Sequence, residues 1–502
     1  MFKCFGFSYL PQYQGALIPA FYSDFTNPNI PLSSLITFSR ASNATDFDST
    51  GTLQTAGSGV ARANAFQDYN PSTLSALGFL IEEQRTNSIR NNTMVGAVAS
   101  VSRNIGTISA VTRTASTTVV VASTGHTAVV GDMITVSGAT PSAYNGTFPI
   151  SAVVANVSYS YVSGSSATDS ATGYAISILS PGTLPTNWVG TPGTSTIARS
   201  ITLSTSESGI ECIDIRYVSK AVNPILYFET ATNIAASNGQ TWSTSFYARV
   251  VGGSTSGATL YKGMRTNDSG GSQVEDYFTA IAVSSAALAT QRFSRTDTLV
   301  NASSAYVQPY FYITYPTAID VTIRIGLPQI EQGSFSTSVE KSSVAAVTRL
   351  IDLATITGAS FSSFYSSTGF SYVSQFRLEA VTGTRPIASF DDNTANQQIR
   401  LYASGTSLKL TVTNGGATQA DITIGTVAAN TTYKCAIRVA ASNFAGCLSG
   451  GTVQTAASGT MPTVDRMRIG GDQAGNAMDG WQLQDSFYRS LLPNSTLQSL
   501  ST

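Results

Sequence analysis

Apolar and polar residues alternate along most of this chain, in short runs that end at Gly, Asn, Ser or Pro. Alternation over a few residues is the pattern of a half-buried β-strand, because successive side chains leave a strand on opposite faces. The stretches 210–217, 241–249, 305–313 and 319–325 carry it. So do 370–378, 398–402, 407–412, 432–439 and 465–470. Strands of this kind, separated by Gly/Ser/Asn turns, predict sandwiches of two antiparallel sheets. Residues 36–39 alternate in the same way, and 78–81 form an apolar run that leads into Glu82 and Glu83. Pro11, Pro19, Pro28, Pro31 and Pro71 argue against a long helix before residue 72. A short helix is expected only after Pro493. Neither a solenoid repeat nor a heptad pattern runs through the chain. The fold class is all-β.

One block interrupts the pattern. Residues 101–178 differ in texture from the flanking 91–99 and 181–188. Within it, 117–121 and 157–162 are candidate strands, 129–136 reads as strand, turn, strand, and Asn145-Gly146 is a turn signal. Removing the block joins Ala99 to Pro181 smoothly, so it reads as a small β module inserted at a surface loop. The chain then divides into 1–90, a domain of 91–100 with 179–345, the insert 101–178, and 346–502.

Composition narrows the function. The 502 residues are enough for three or four domains, and 42% hydrophobic residues allow several cores. Charged residues are only 11%, which suits β surfaces that pack closely in an assembly. With 27 basic and 28 acidic residues and no basic tract, nucleic-acid binding by phosphate neutralisation is not expected. No apolar run approaches the roughly 20 residues that span a bilayer, so membrane insertion is not expected. The start of the chain lacks the apolar region of a signal peptide, and export by a standard route is not indicated. Of the four cysteines, only Cys435 and Cys447 lie close in sequence. They could face each other across a hairpin, but buried free thiols are the plainer reading.

The chemistry of common enzymes is missing. The single histidine, His126, sits in the insert without a nucleophile elbow anywhere in the chain. One His and scattered Cys do not make a zinc site, and no cofactor-binding motif is present. Glycan cleavage needs two acids about 5–10 Å apart. Glu82, Glu83, Asp391, Asp392, Asp465 and Asp472 are the candidates, although Glu82 and Glu83 as strand neighbours point to opposite faces. The chain is read as a non-enzyme.

Several stretches resemble modular proteins of tailed-phage particles. Residues 37–45 (TFSRASNAT) and 78–87 (GFLIEEQRTN) look like the "FTRAS-x-AT … GLLIE-x-x-x-TN" signature of phage fibre and tail proteins. Residues 326–338 (GLPQIEQGSFSTS) with 346–349 (AVTR) resemble the close of a jelly-roll, carbohydrate-binding-like module. Residues from about 365 to 502 are similar to laminin-G/concanavalin-like sandwiches, and the insert resembles small immunoglobulin-like phage modules. Arg40, Glu82 and Arg349 belong to these motifs and are expected to pair with carboxylates or backbone at module junctions.

The resemblance implies a structural virion component: a tail fibre or adsorption protein whose sandwiches bind host surface polysaccharide. A capsid-attached head fibre or decoration protein is the alternative, and a glycan depolymerase a lower one. Residues 1–90 are assigned to docking on portal, tail or capsid components, and trimming near the N-terminus is expected to leave the protein folded. A homo-oligomer is implied, with a trimer as the family-style state. Glycan contacts need aromatic platforms: the candidates are Trp188, Tyr310, Tyr312 and Trp481, while Trp242 reads as core. Tyr306, Tyr310 and Tyr312 share one face of their strand. The oxygen-rich turn Asp391-Asp392-Asn393 is a candidate Ca²⁺ site, set against an ordinary solvated turn.

Overall fold

Period-two alternation translates directly into sheet register. In the strand Ile210–Ser219, Ile213, Ile215 and Tyr217 enter the core of one sandwich, while Cys212 and Val218 on the opposite face meet neighbouring modules. The computed structural model describes residues 17–219, 222–316 and 318–502. It is all-β and antiparallel. Among the described residues, no helix is long and apolar enough to cross a membrane.

The central module is a sandwich of two sheets. One runs in the order Val189–Gly190, Ile225–Tyr227, Tyr306–Thr314, Thr259–Asn267, Gln273–Ile281, with Ile234–Ala235 also on Tyr306–Thr314. The other runs Ile197–Glu207, Ile210–Ser219, Ile319–Gln332, Thr241–Ser254, Arg292–Thr298. Phe246, Met264, Phe311, Ile323 and Ile325 fill the space between them.

The insert is a five-stranded sheet, in the order Ala175–Leu179, Met133–Ser137, Gly146–Val154, Ser158–Ser170, Thr107–Thr124. Its core gathers Val119, Ile134, Tyr144, Ile150, Tyr159 and Tyr161. The segments leading into and out of it run side by side, bridged at Val98–Thr183 and Ser102–Leu179. Two local expectations fail here. Residues 129–132 are a turn before a single strand. Asn145-Gly146 is not a hairpin tip: the Asn145 amide clamps Ala139, accepting from its N–H at 2.8 Å and donating to its carbonyl at 3.0 Å. An Asn side chain that closes a loop leaves the same sequence trace as one that makes a turn.

The C-terminal sandwich requires the other end of the chain. Phe21–Asp24 pairs with Gly480–Tyr488, and Ala76–Ile81 extends along the same strand, with Leu80 opposite Trp481. Thr37–Ser39 pairs with Leu353–Thr357 in the facing sheet. Phe21, Phe25, Ile36, Phe79 and Ile81 share one core with Phe370, Phe390, Met467 and Phe487. The separate region expected at 1–90 is thus corrected over part of its described length: the strands Phe21–Asp24, Thr37–Ser39 and Ala76–Ile81 complete the C-terminal sandwich, while the hairpin of Ala44–Phe47 and Leu53–Ala56 packs through Leu53 on the central module. Cuts beyond Phe21 would unpair one side of Gly480–Tyr488 and open the shared core, so the expectation of a folded, trimmed chain does not extend to them. Residues 1–16, including Cys4 and Pro11, lie outside the described residues. The helix expected after Pro493 is present at Asn494–Leu500.

Candidate functional site

The motif residues that carry the phage resemblance meet at one buried point. Arg40 Nη1 lies 2.9 Å from Asp352 Oδ1, Arg62 bridges Asp352 at 2.6 Å and Glu82 at 2.7 Å, and Arg349 lies 3.4 Å from Glu82. Arg349 Nε also lies 3.0 Å from Glu340 Oε1, without hydrogen-bond alignment. All of these side chains are buried. Burial works against the Glu82 charge, but Arg349 and Arg62 prevail and hold its carboxyl down at about 2. Ser338 adds a backbone N–H and a hydroxyl to the same carboxylate. The cluster ties residues 40–82 to 338–352, between the central and C-terminal modules. Its ion pairs are buried and serve to join, and Glu82 and Ser338 also line a cavity of about 230 Å³ with Asp46, Asp68 and Glu379.

The other candidate acids are committed in the same way. Glu83 points away from Glu82 and pairs with Arg85 and Arg385. Asp472 takes Arg400 at 3.3 Å and the Asn476 amide. Asp465 pairs with Arg466. The suggested Ca²⁺ turn is corrected: Asp391 is buried against Arg468, whose Nε lies 2.9 Å from Oδ2, and also receives the Asn393 N–H. Asp392 caps its own turn through Thr394. A guanidinium occupies the oxygens that a cation would need. His126 is buried edge-on against Tyr159. Cys435 sits opposite Leu448 and Cys447 opposite Ala436, so the two thiols leave the hairpin on opposite faces and remain free.

Two of the aromatic candidates are interior. Trp188 is 6% exposed, meets Phe228 edge-on at 5.0 Å and donates its indole N–H to the Asn91 carbonyl at 2.7 Å. Trp481 is 8% exposed and donates to Asp68 Oδ2 at 3.0 Å, with Arg377 over its ring. Neither presents an open ring face, so both are corrected as platforms. Each is anchored by its indole N–H, as buried tryptophans are.

The tyrosine candidates lead to a different surface. Antiparallel register places three transverse rows on the outward face of the first central sheet. Ile225, Tyr312, Tyr261 and Ala280 form one row; Tyr227, Tyr310, Gly263 and Phe278 the next; Gln308, Arg265 and Asp276 the third. Tyr310 lies flat across Gly263, where an added Cβ would stand 2.2 Å from its ring. Its hydroxyl reaches past the Gly263 strand to the next one and donates to Asp276 Oδ1 at 2.5 Å. At 2% exposure Tyr310 is the floor of the surface rather than a platform on it. Phe278 stands above it, 51% exposed, with Tyr261 edge-on at 5.5 Å. Tyr312 lies beside Tyr261 at 5.9 Å. Arg265 is held 4.2 Å above the Tyr227 ring. Burial lowers its pKa and Asp276 opposes that, yet a guanidinium keeps its charge across the physiological range.

Ile225, Arg265, Asp276, Phe278, Tyr310 and Tyr312 line an open groove of about 340 Å³ on this face. Aromatic faces flanked by a few fixed donors and acceptors are the surface that sugars use: C–H groups lie on the rings and hydroxyls meet the polar groups. Sequence reasoning found Tyr310 and Tyr312 but missed Tyr227, Tyr261, Arg265, Asp276 and Phe278. The signal was present as alternation in 259–267 and 273–281, where Tyr261 and Arg265, and Asp276 and Phe278, fall an even number of residues apart.

No family model matches the chain, and no curated protein matches it. Solved structures resemble it in part. The CBM40 of Ruminococcus gnavus IT-sialidase is 14% identical over 27% of this chain and 84% of its own, with a TM-score of 0.25. Domains LG4-5 of the mouse laminin α1 chain are 12% identical over 52% and 87%, with a TM-score of 0.21. The N-terminal CBM22-1–CBM22-2 tandem of Paenibacillus barcinonensis Xyn10C is 10% identical over 60% and 91%, with a TM-score of 0.21. These are likenesses of β-sandwich fold, and they assign no ligand to this chain.

Proposed function

We propose that this protein is a glycan-binding structural subunit of a tailed-phage particle, and that it binds sugar at the groove of the central module without cleaving it. The observation that carries the binding half is the exposed aromatic and polar face around Phe278, Tyr312 and Arg265, on a sheet whose other side is packed core. The phage half rests on the resemblance of residues 37–45, 78–87 and 346–349 to the fibre signature. Arg40, Glu82 and Arg349 of those segments build one junction, which gives the motif a mechanical reason: a projecting protein needs its modules held at a fixed angle.

Binding is tested on an array of bacterial surface polysaccharides. The native chain is expected to retain a subset, and Phe278→Ala to lose that subset by about tenfold or more, since truncating an aromatic contact at a binding centre commonly costs over 1 kcal/mol. Unchanged binding by Phe278→Ala would move the site elsewhere. Immunogold labelling of intact particles with an antibody to residues 350–502 tests the virion reading. Label on the tail supports an adsorption fibre, label on the capsid a head fibre, and clean particles without label end the reading.

A further inference from the structure

Among the described residues, the groove contains a cation without an ion-pair or hydrogen-bond partner. Other arginines of the central module are paired: Arg324 with Asp214 and Glu207, Arg216 with Asp320, Arg295 with Asp297, Arg249 with Glu207. Arg265 is different. Among the described residues no carboxylate lies within ion-pair distance of its guanidinium and no hydrogen bond engages it, although the Asp276 charge acts on it; its Nε is shielded from solvent without a partner, as is that of the paired Arg249. The side chain is nevertheless held in place, stacked 4.2 Å over Tyr227 and 5.7 Å from Tyr310. Stacking holds the face of a guanidinium and leaves its in-plane N–H donors free. A half-buried donor without a partner costs free energy until something fills it.

We propose that the groove selects a sugar residue bearing a carboxylate, and that Arg265 receives that group. The proposal rests on the glycan-binding reading above. The planar fork of an arginine matches the two oxygens of a carboxylate. Asp276 stands on the neighbouring strand, opposite Arg265 in register, with one oxygen already engaged by Tyr310. Its charge sets an upper limit on the negative charge the groove tolerates, which favours a monoanionic carboxylate over a dianionic phosphate. Its remaining acceptor capacity suits a sugar hydroxyl. The sugar ring itself has Tyr312, Tyr261 and Phe278 to lie against. A neutral sugar offers Arg265 single hydroxyl acceptors but not the paired, charged oxygens that match its fork.

The test is a direct comparison of carboxylated, phosphorylated and neutral bacterial polysaccharides. Each carboxylated one is measured again after carbodiimide activation and borohydride reduction have turned its carboxyl into a primary alcohol. Binding is expected on carboxylated members. It should fall about 10- to 100-fold on carboxyl reduction, and equally in Arg265→Gln with an unchanged circular dichroism spectrum, the range of a hydrogen bond to a charged group. If carboxyl reduction and Arg265→Gln leave affinity unchanged while Phe278→Ala removes it, the carboxylate proposal is overturned and the glycan-binding reading stands. Preference for phosphorylated members also overturns it. Binding to no polysaccharide overturns both.

Discussion

Asp485 lies inside the C-terminal sandwich, fully buried, with the Tyr372 hydroxyl and the Gln482 amide donating to its Oδ1. Burial pushes its carboxyl up to about 7, although the donated hydrogen bonds oppose the shift. The sign follows from linkage. Below about pH 4 the group is protonated in both states. Between about 4 and 7 the unfolded chain ionises first, so the folded state holds the extra proton and stability falls as pH rises; above about 7 the loss is complete. Asp485→Asn removes this titration. The variant is therefore expected to gain on the native protein as pH is raised from 5 to 8, by an amount on the order of 1–3 kcal/mol at roughly 1.4 kcal/mol per pH unit. Urea midpoints at the two pH values check it, and a constant gap between the two proteins would contradict it. The floor of the groove depends on a single residue in a similar way, since only glycine at 263 lets the Tyr310 ring cross the sheet to Asp276.

At the scale of elements, the insert is attached at two points that are nearly one. Ser102 and Leu179 are bridged partners, and Val101 and Ser180 exchange hydrogen bonds at 2.9 Å. The inserted sheet keeps its own core and touches the central module through an apolar contact of Met133, Ala198 and Val218, a hydrogen bond from Arg216 to Thr147 at 3.3 Å and a close approach of Gly131 to Gly193. Replacing residues 103–178 by a two-residue Gly-Gly turn is therefore expected to leave the central sandwich folded. Antiparallel partners accept a two-residue connection, and none of the groove residues lies in the removed stretch. Circular dichroism and polysaccharide binding check this together. Loss of binding with an intact β-spectrum would mean that the insert contributes to the ligand site.

At the scale of the whole molecule, the chain is tied end to end. Strands before residue 82 complete the sandwich that ends at residue 502, and the cluster of Arg40, Arg62, Glu82, Asp352 and Arg349 locks them to the segment leaving the central module. Arg62 is the hub, fully buried between two carboxylates. Arg62→Met keeps the apolar stem of the side chain but leaves Glu82 and Asp352 without their shared cation. Breaking one partner of a buried pair commonly costs about 3–5 kcal/mol. The variant is expected to lose stability in that range and to be cut by protease between residues 335 and 352 more readily than the native protein. Urea denaturation and limited proteolysis read the two effects separately. An unchanged midpoint would show that the cluster is not the joint we take it to be.

Much of this protein was readable from alternation alone. Strands such as Ser407–Asn414 and Arg466–Ile469 bury one face as their period-two pattern requires, because pleating assigns faces residue by residue without reference to a partner, whereas Phe370–Leu378 and Thr384–Asp391 are buried on both faces. The opposite orientations of Glu82 and Glu83, the shared face of Tyr310 and Tyr312 and the pairing of Arg40, Glu82 and Arg349 were legible for the same local reason: few charges in an apolar β chain leave few places for them. Partner choice was not legible. Nothing in Phe21, Phe25 or Phe79 says that their core lies beside Phe487, so a region set apart as a docking segment proved to be part of a sandwich. Burial of an aromatic was equally hidden. Trp188 and Trp481 have the composition of a sugar platform, but their indole N–H groups are anchored by Asn91 and Asp68, residues far away in the chain. The candidate groove itself exists only across strands. Tyr227, Gly263, Phe278 and Tyr310 come from four separate strands and meet by register, a long-range pairing that local alternation permits and only the assembled sheet decides.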